Sequence, residues 1–248
     1  MATPYTVPPD IGFVPIDFVR VGDPLDELSA FMLRSPAPFG IRLAGGCTDM
    51  SVAERYAMLE FLGAGLMPFT GFVSSGGTRE VLANGQLNPM VTDVPALLAA
   101  QGRVLTASTV PQTDIIGLVD ESRLVWRPDG LLVPNPGVHR LVVVQGSRGE
   151  RLGWDGDLQV YFDLFQALVA RAGWRCALVV YNGGEVTLQE IYLALALGWK
   201  VIIVAGSGRA ADDIVRQAQD GIIKGPLPPP EKYIDLTYLR QAQKELGL

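Results

Sequence analysis

The stretch Lys200–Ile214, KVIIVAGSGRAADDI, leaves the chain few ways to fold. The apolar run Val201–Ala205 meets Gly206-Ser207-Gly208, and a helical segment opens at once with Arg209. A strand apolar on both faces that turns directly into a helix belongs in a parallel sheet. The first N–H groups of such a helix lack intrahelical partners, and its dipole places partial positive charge there. Arg209 adds a full charge, so this turn suits a phosphate or carboxylate.

The same strand-to-helix rhythm runs through most of the chain. Strands are expected near 39–44, 69–74, 103–108, 140–145, 176–181 and 200–205, and helices at 51–65, 93–101, 156–172, 186–198, 209–219 and 236–246. This alternation predicts an α/β domain with a mainly parallel sheet. Ser51 with Glu54 three residues on forms a capping-box pattern, and Gly63 or Gly65 is expected to close that helix. In 156–172, Leu158, Tyr161, Phe165, Leu168 and Ala172 share one face. Asp129-Gly130 predicts a tight hairpin turn, which makes 123–133 an antiparallel excursion. Pro226–Pro230 reads as a stiff connector before the last helix. Residues 1–38, proline-rich with a short helix near Pro24–Leu33, read as an N-terminal arm packed on a domain spanning 39–248.

Three further turns share the design of the first: Gly45-Gly46-Cys47-Thr48, Ser75-Gly76-Gly77-Thr78, and Asn182-Gly183-Gly184-Glu185-Val186-Thr187. All four are expected along the carboxyl edge of one sheet, where open α/β folds bind ligands. Glycine lets backbone approach a ligand closely, and Ser or Thr at a helix start caps it or bonds a phosphate oxygen. The candidate ligand-binding residues are therefore Gly45, Gly46, Thr48, Ser75, Gly76, Gly77, Thr78, Asn182, Gly183, Gly184, Glu185, Thr187, Gly206, Ser207, Gly208 and Arg209. Gly206–Ala211 also fits G-x-G-x-x-A, but it follows the last expected strand, and no further strand is expected to carry an acid for a ribose. Nothing fits a phosphate-binding P-loop.

Charge narrows the partners. With 26 acidic and 20 basic side chains the net charge is −6, which disfavours general nucleic-acid binding. No apolar run reaches the length of a membrane span, and the first ten residues lack the character of a signal peptide, so a cytoplasmic setting is expected. Two cysteines, Cys47 and Cys176, and one histidine, His139, do not make a metal site, and no cofactor is expected. His139 reads as a structural hydrogen-bonding group.

FVSSGGTREV (Phe72–Val81), VPNPGVHRLVVV (Val133–Val144), VVYNGGEVTLQEI (Val179–Ile191) and VIIVAGSGRAADDI (Val201–Ile214) together resemble the SLOG superfamily. This is the Rossmann-like fold shared by LOG phosphoribohydrolases, molybdenum-cofactor carriers and the N-terminal region of melastatin-type TRP channels; the likeness is closest to the channel-associated branch and its stand-alone prokaryotic relatives. The resemblance implies a three-layer Rossmann-like domain and a small-molecule, nucleotide-derived anionic ligand, ADP-ribose-like or a nucleotide sugar. It also implies a possible homo-oligomer. A non-catalytic binding or sensing role is preferred. The alternatives are a nucleoside-monophosphate phosphoribohydrolase using Glu190, or a molybdenum-cofactor carrier. LOG enzymes carry P-G-G-x-G-T-x-x-E with an Arg on the preceding helix. Here Thr187 and Glu190 are kept, Asn182 and Val186 replace the Pro and third Gly, and the family Arg falls near Ala167, with Arg171 the nearest cation. Pyridoxal-phosphate chemistry is disfavoured, because Lys200, Lys224, Lys232 and Lys244 all lie outside the glycine turns.

Overall fold

Strands that are apolar on both sides need helices above and below them, and this chain supplies both layers. The computed structural model describes residues 15–81, 87–111, 117–120, 123–126, 132–135, 137–146, 152–153, 155–219 and 233–235. In chain order the first elements are β1 (Ile16–Arg20), α1 (Asp26–Met32), β2 (Phe39–Gly46), α2 (Val52–Leu66), β3 (Gly71–Gly76), β4 (Thr78–Val81), β5 (Leu87–Asn88), α3 (Val94–Ala99) and β6 (Val104–Pro111). They are followed by β7 (Gly117–Asp120), β8 (Arg123–Trp126), β9 (Leu132–Pro134), β10 (Arg140–Gln145), α4 (Leu158–Ala172), β11 (Arg175–Asn182), α5 (Glu185–Ala196), β12 (Lys200–Ile203), α6 (Arg209–Gln219) and β13 (Tyr233–Asp235).

Eight strands form one sheet in the order β1-β10-β6-β3-β2-β11-β12-β13, and every neighbouring pair is parallel. The chain winds from β2 through β3 and β6 to β10, then returns to lay β11 on the other side of β2. Strand order therefore reverses between β2 and β11, and a doubly wound sheet opens a crevice at its carboxyl edge there. This is a Rossmann-like α/β architecture, as the strand–helix alternation predicts.

Alternation along each strand divides the core into two layers. Phe72, Leu178, Val180 and Val201 pack with Phe31, Phe165, Ile191 and Ile214 from α1, α4, α5 and α6. Ile41, Leu43, Val73 and Val179 face the other way, against Met58 and Leu62 of α2 and Val94 and Leu98 of α3. The capping box of α2 is present: Ser51 Oγ accepts from Glu54 N–H, and the Glu54 carboxylate accepts from Ser51 N–H.

Several expectations are corrected. The stretch read as an N-terminal arm places β1 on the sheet edge beside β10, and α1 sends Leu28, Phe31 and Met32 into the core. Helix α2 runs through Gly63 and Gly65 to Leu66 instead of closing on either. The antiparallel excursion expected over 123–133 is present, with β8 paired antiparallel to β7 and β9 antiparallel to β4. Asp129-Gly130 lies outside the described residues, as does the helix expected at 236–246. β12 is not the last strand, because β13 extends the sheet beyond it and ends on Asp235. No helix among the described residues is long and apolar enough to cross a membrane.

Two glycines separate packing from propensity. A Cβ at Gly40 would stand 2.3 Å from Phe165 Cε1, whereas one at Gly63, inside α2, would meet nothing within 4 Å. Gly40→Ala is expected to lower unfolding stability by about 1–3 kcal/mol through overpacking. Gly63→Ala is expected to raise it by about 0.5–1 kcal/mol through helix propensity and a less flexible unfolded chain. Urea denaturation of the two variants checks both signs.

Candidate functional site

A buried strand in a parallel sheet has no place for an unpaired cation, yet β2 carries Arg42 within its apolar run. Strand alternation points Arg42 to the α4–α5 side of the sheet, where it is 3% exposed. Its Nε donates to Glu190 Oε1 at 3.1 Å and its Nη1 to Thr109 Oγ1 at 3.1 Å. Nη2 lies 3.8 Å from Asp157 Oδ2. The guanidinium carbon sits 3.7 Å from the centre of the Tyr161 ring, and Tyr161 Oη donates to Glu190 Oε1 at 2.6 Å. Thr109 Oγ1 in turn donates to Asp157 Oδ2. Five side chains from β2, β6, α4, α5 and the residue before α4 thus close one buried network.

This network floors a cavity of about 270 Å³ at the carboxyl ends of β2, β3 and β6. Arg42, Thr109, Asp157 and Glu190 line it, together with Gly45, Gly76, Gly77, Val186 and Thr187. Gly45 must be glycine: its φ is +147°, and a Cβ there would lie 2.0 Å from the carbonyl oxygen of Tyr181. The first turn of α5 supplies Val186 and Thr187, and Glu190 follows one turn deeper on the same face.

Two carboxyl groups share one guanidinium here. Burial raises the pKa of both Glu190 and Asp157, with Arg42 acting against the rise in each case. Burial, reinforced by Glu190, lifts the Tyr161 phenol well above its ordinary range. Desolvation opposes the charge of Arg42, but Tyr161, Glu190 and Asp157 outweigh it, so the guanidinium stays protonated. Burial thus works toward the neutral form of both carboxyl groups against the pull of Arg42, and Oε1 of Glu190 is fixed by two donors.

The structure brings Gly45, Gly76, Gly77, Thr187 and Glu190 together on this cavity. Gly46 lies beside it, close to Gly183: a Cβ on Gly46 would stand 3.9 Å from Gly183 Cα. Thr48 and Glu185 are exposed, and Ser75 is buried with its hydroxyl donating to Gly76 O at 2.8 Å. Thr78 opens β4. Asn182 is buried at φ +56°, and its N–H donates to Ser207 Oγ at 2.8 Å.

The Gly206–Arg209 turn, expected to suit a phosphate or carboxylate, has its donors already taken. Gly206 N–H donates to Asp212 Oδ1 at 2.7 Å and Gly208 N–H to Asp212 Oδ2 at 3.1 Å, so a carboxylate of the chain itself already occupies these donors. Gly206, Ser207, Gly208 and Arg209 do not line the cavity. Arg209 is exposed at φ +46°, and its guanidinium rests against the third turn, with Nη2 3.1 Å from where a Cβ on Gly184 would stand. Arg171, considered as a partner for Glu190, instead pairs with Asp26 on the surface at 3.0 Å. His139 Nδ1 accepts from Thr106 N–H at 3.2 Å, in keeping with a structural role.

Sequence reasoning found Glu190 but missed Arg42, Thr109, Asp157 and Tyr161. One signal was available: Arg42 is the single charge in FGIRLAGG, and a charge inside a buried strand requires partners. Tyr161 had been placed on the apolar face of its helix, where it does lie, but its hydroxyl reaches the network.

No curated protein matches the sequence. Among solved structures, the structural-genomics target TM1055 aligns at 18% identity and a TM-score of 0.49, covering 84% of this chain and 98% of that one. The molybdenum cofactor carrier protein from Chlamydomonas reinhardtii aligns at 16% identity and 0.48 in one structure, covering 84% of this chain and 97% of that one. A second structure of that carrier gives 18%, 0.47, and coverage of 84% and 96%. The model for the family described as SLOG in TRPM, prokaryote, matches residues 98–241, more than half of the sequence. The chain belongs to this family.

Proposed function

We propose that the cavity over Arg42 and Glu190 binds a phosphorylated, nucleotide-derived small molecule. One observation carries this reading: the free N-terminus of α5 and the carboxyl group of Glu190 face the same cavity one helical turn apart. Gly184, which precedes α5, offers no side chain to cap it, so the first N–H groups are open to an anion. Arg209 adds its charge beside Gly184 and has no carboxylate partner among the described residues. A phosphate at this end places a ribose about 5 Å deeper, the rise of one turn, over Glu190 and Asp157. There the carboxyl oxygens accept from sugar hydroxyls.

A hydrolytic reading is favoured by a separate feature. Glu190 has a buried cationic partner in Arg42, and burial raises its pKa above the ordinary carboxylate value. A carboxylic acid shifted in that direction is suited to protonate a departing base. If the chain cleaves a glycosidic bond, the rate falls as pH rises through the raised pKa of Glu190, because the acid form is the one required.

Two experiments separate these readings. In calorimetry with AMP, Gly184→Asp is expected to weaken binding more than tenfold, since its carboxylate takes the α5 donors as Asp212 does in the next turn. The same change is expected to raise stability by about 0.2–0.4 kcal/mol through a new helix cap, which distinguishes lost affinity from misfolding. Unchanged affinity would remove the phosphate from this helix. Incubation of the chain with AMP, NAD and ADP-ribose, followed by chromatography, tests for turnover. The binding reading expects none, and release of free base that disappears in Glu190→Gln establishes the hydrolytic one.

A further inference from the structure

The floor of the cavity over Arg42 and Glu190 keeps hydrogen-bonding capacity that the chain itself does not use. Arg42 donates through Nε to Glu190 and through Nη1 to Thr109. Its Nη2 makes no hydrogen bond among the described residues and stands 3.8 Å from Asp157 Oδ2, beyond hydrogen-bond length. Both donors that reach Glu190, Arg42 Nε and Tyr161 Oη, bond to Oε1, so Oε2 accepts from neither. Thr109 bonds Asp157 through Oδ2, and no other side chain among the described residues donates to Oδ1.

These three atoms are within reach of a ligand. Arg42, Asp157 and Glu190 all line the cavity, and none of Nη2, Oδ1 and Oε2 is among the fully buried polar atoms left without a partner. Glu190 is held at Nε and Asp157 stands beside Nη2, which puts one donor between two acceptors. That pattern is selective. An anion would accept from Nη2 but bring its charge against two carboxyl groups, and an ammonium group would meet the guanidinium. Two adjacent hydroxyls fit, because each donates to a carboxyl oxygen and accepts from Nη2. A hydroxyl also suits either form of a carboxyl group, since it donates to the carboxylate and accepts from the acid.

We infer that this floor recognises a vicinal diol, so that the site takes ribonucleotides in preference to 2′- and 3′-deoxyribonucleotides. The inference rests on the reading of this cavity as a nucleotide site and adds a selectivity that a phosphate contact alone does not impose. Tyr161 and Thr109 make it possible, because they occupy the inner oxygens of the two acids and so orient the outer ones before a ligand arrives. A deoxyribose leaves one of the three floor atoms without its partner, at the cost of a lost hydrogen bond to an ionisable group.

Calorimetry on the full chain with AMP, 2′-deoxy-AMP, 3′-deoxy-AMP and adenosine tests this without any substitution. Each deoxy compound is expected to bind about tenfold or more weakly than AMP. Equal affinity for the three nucleotides overturns the diol reading and leaves the phosphate site standing. Adenosine bound as tightly as AMP removes the phosphate instead, and the diol reading survives if 2′- and 3′-deoxyadenosine still bind more weakly than adenosine. Binding of none of these compounds overturns both. Asp157→Asn keeps the shape of the side chain but turns one charge-assisted contact into a neutral one, and is expected to narrow one of the two preferences to about threefold. An Asp157→Asn chain with the circular dichroism of the parent and both preferences intact would also overturn the proposal.

Discussion

The burial of one guanidinium between two carboxyl groups organises the carboxyl edge of this protein. Removing a charge from water is costly unless neighbours replace the hydration, and Arg42 is surrounded by Glu190, Thr109, Asp157 and the face of Tyr161. Each partner comes from a different element, so the network also ties β2, β6, α4 and α5 at one point. Burial raises the pKa of both acids, and the single guanidinium they share opposes that rise in each. Chemistry and architecture meet here, because the group that holds four elements in place is also the floor of the cavity.

Much of the fold was legible because it is encoded locally. Apolar runs ending in glycine announce buried strands, and the Ser51/Glu54 pair announces the start of α2. What escaped notice is encoded by partners distant in sequence. β1 and β13 are short edge strands whose identity depends on β10 and β12, far from them in the chain. The Arg42–Glu190 pair spans 148 residues, and no spacing rule connects them. The family motif carries its cation on the helix before the glycine turn, whereas the cation beside Glu190 here comes from a strand.

The glycine turns show how far sequence likeness reaches. Gly183-Gly184 and Gly206-Ser207-Gly208 read alike as strand-to-helix corners, and both precede helices of the same sheet edge. Their helix starts are capped differently. α5 begins without a side-chain cap, whereas the turn before α6 is closed by an acid from its own helix. The difference lies in Asp212, several residues beyond the motif.

Asp212 has a consequence for selectivity. A carboxylate tethered within a few residues of its donors acts at an effective concentration far above the millimolar range of free metabolites. Dissolved anions compete poorly against such an internal occupant. The turn before α6 is thereby closed to dissolved anions, whereas the start of α5 carries no such internal occupant.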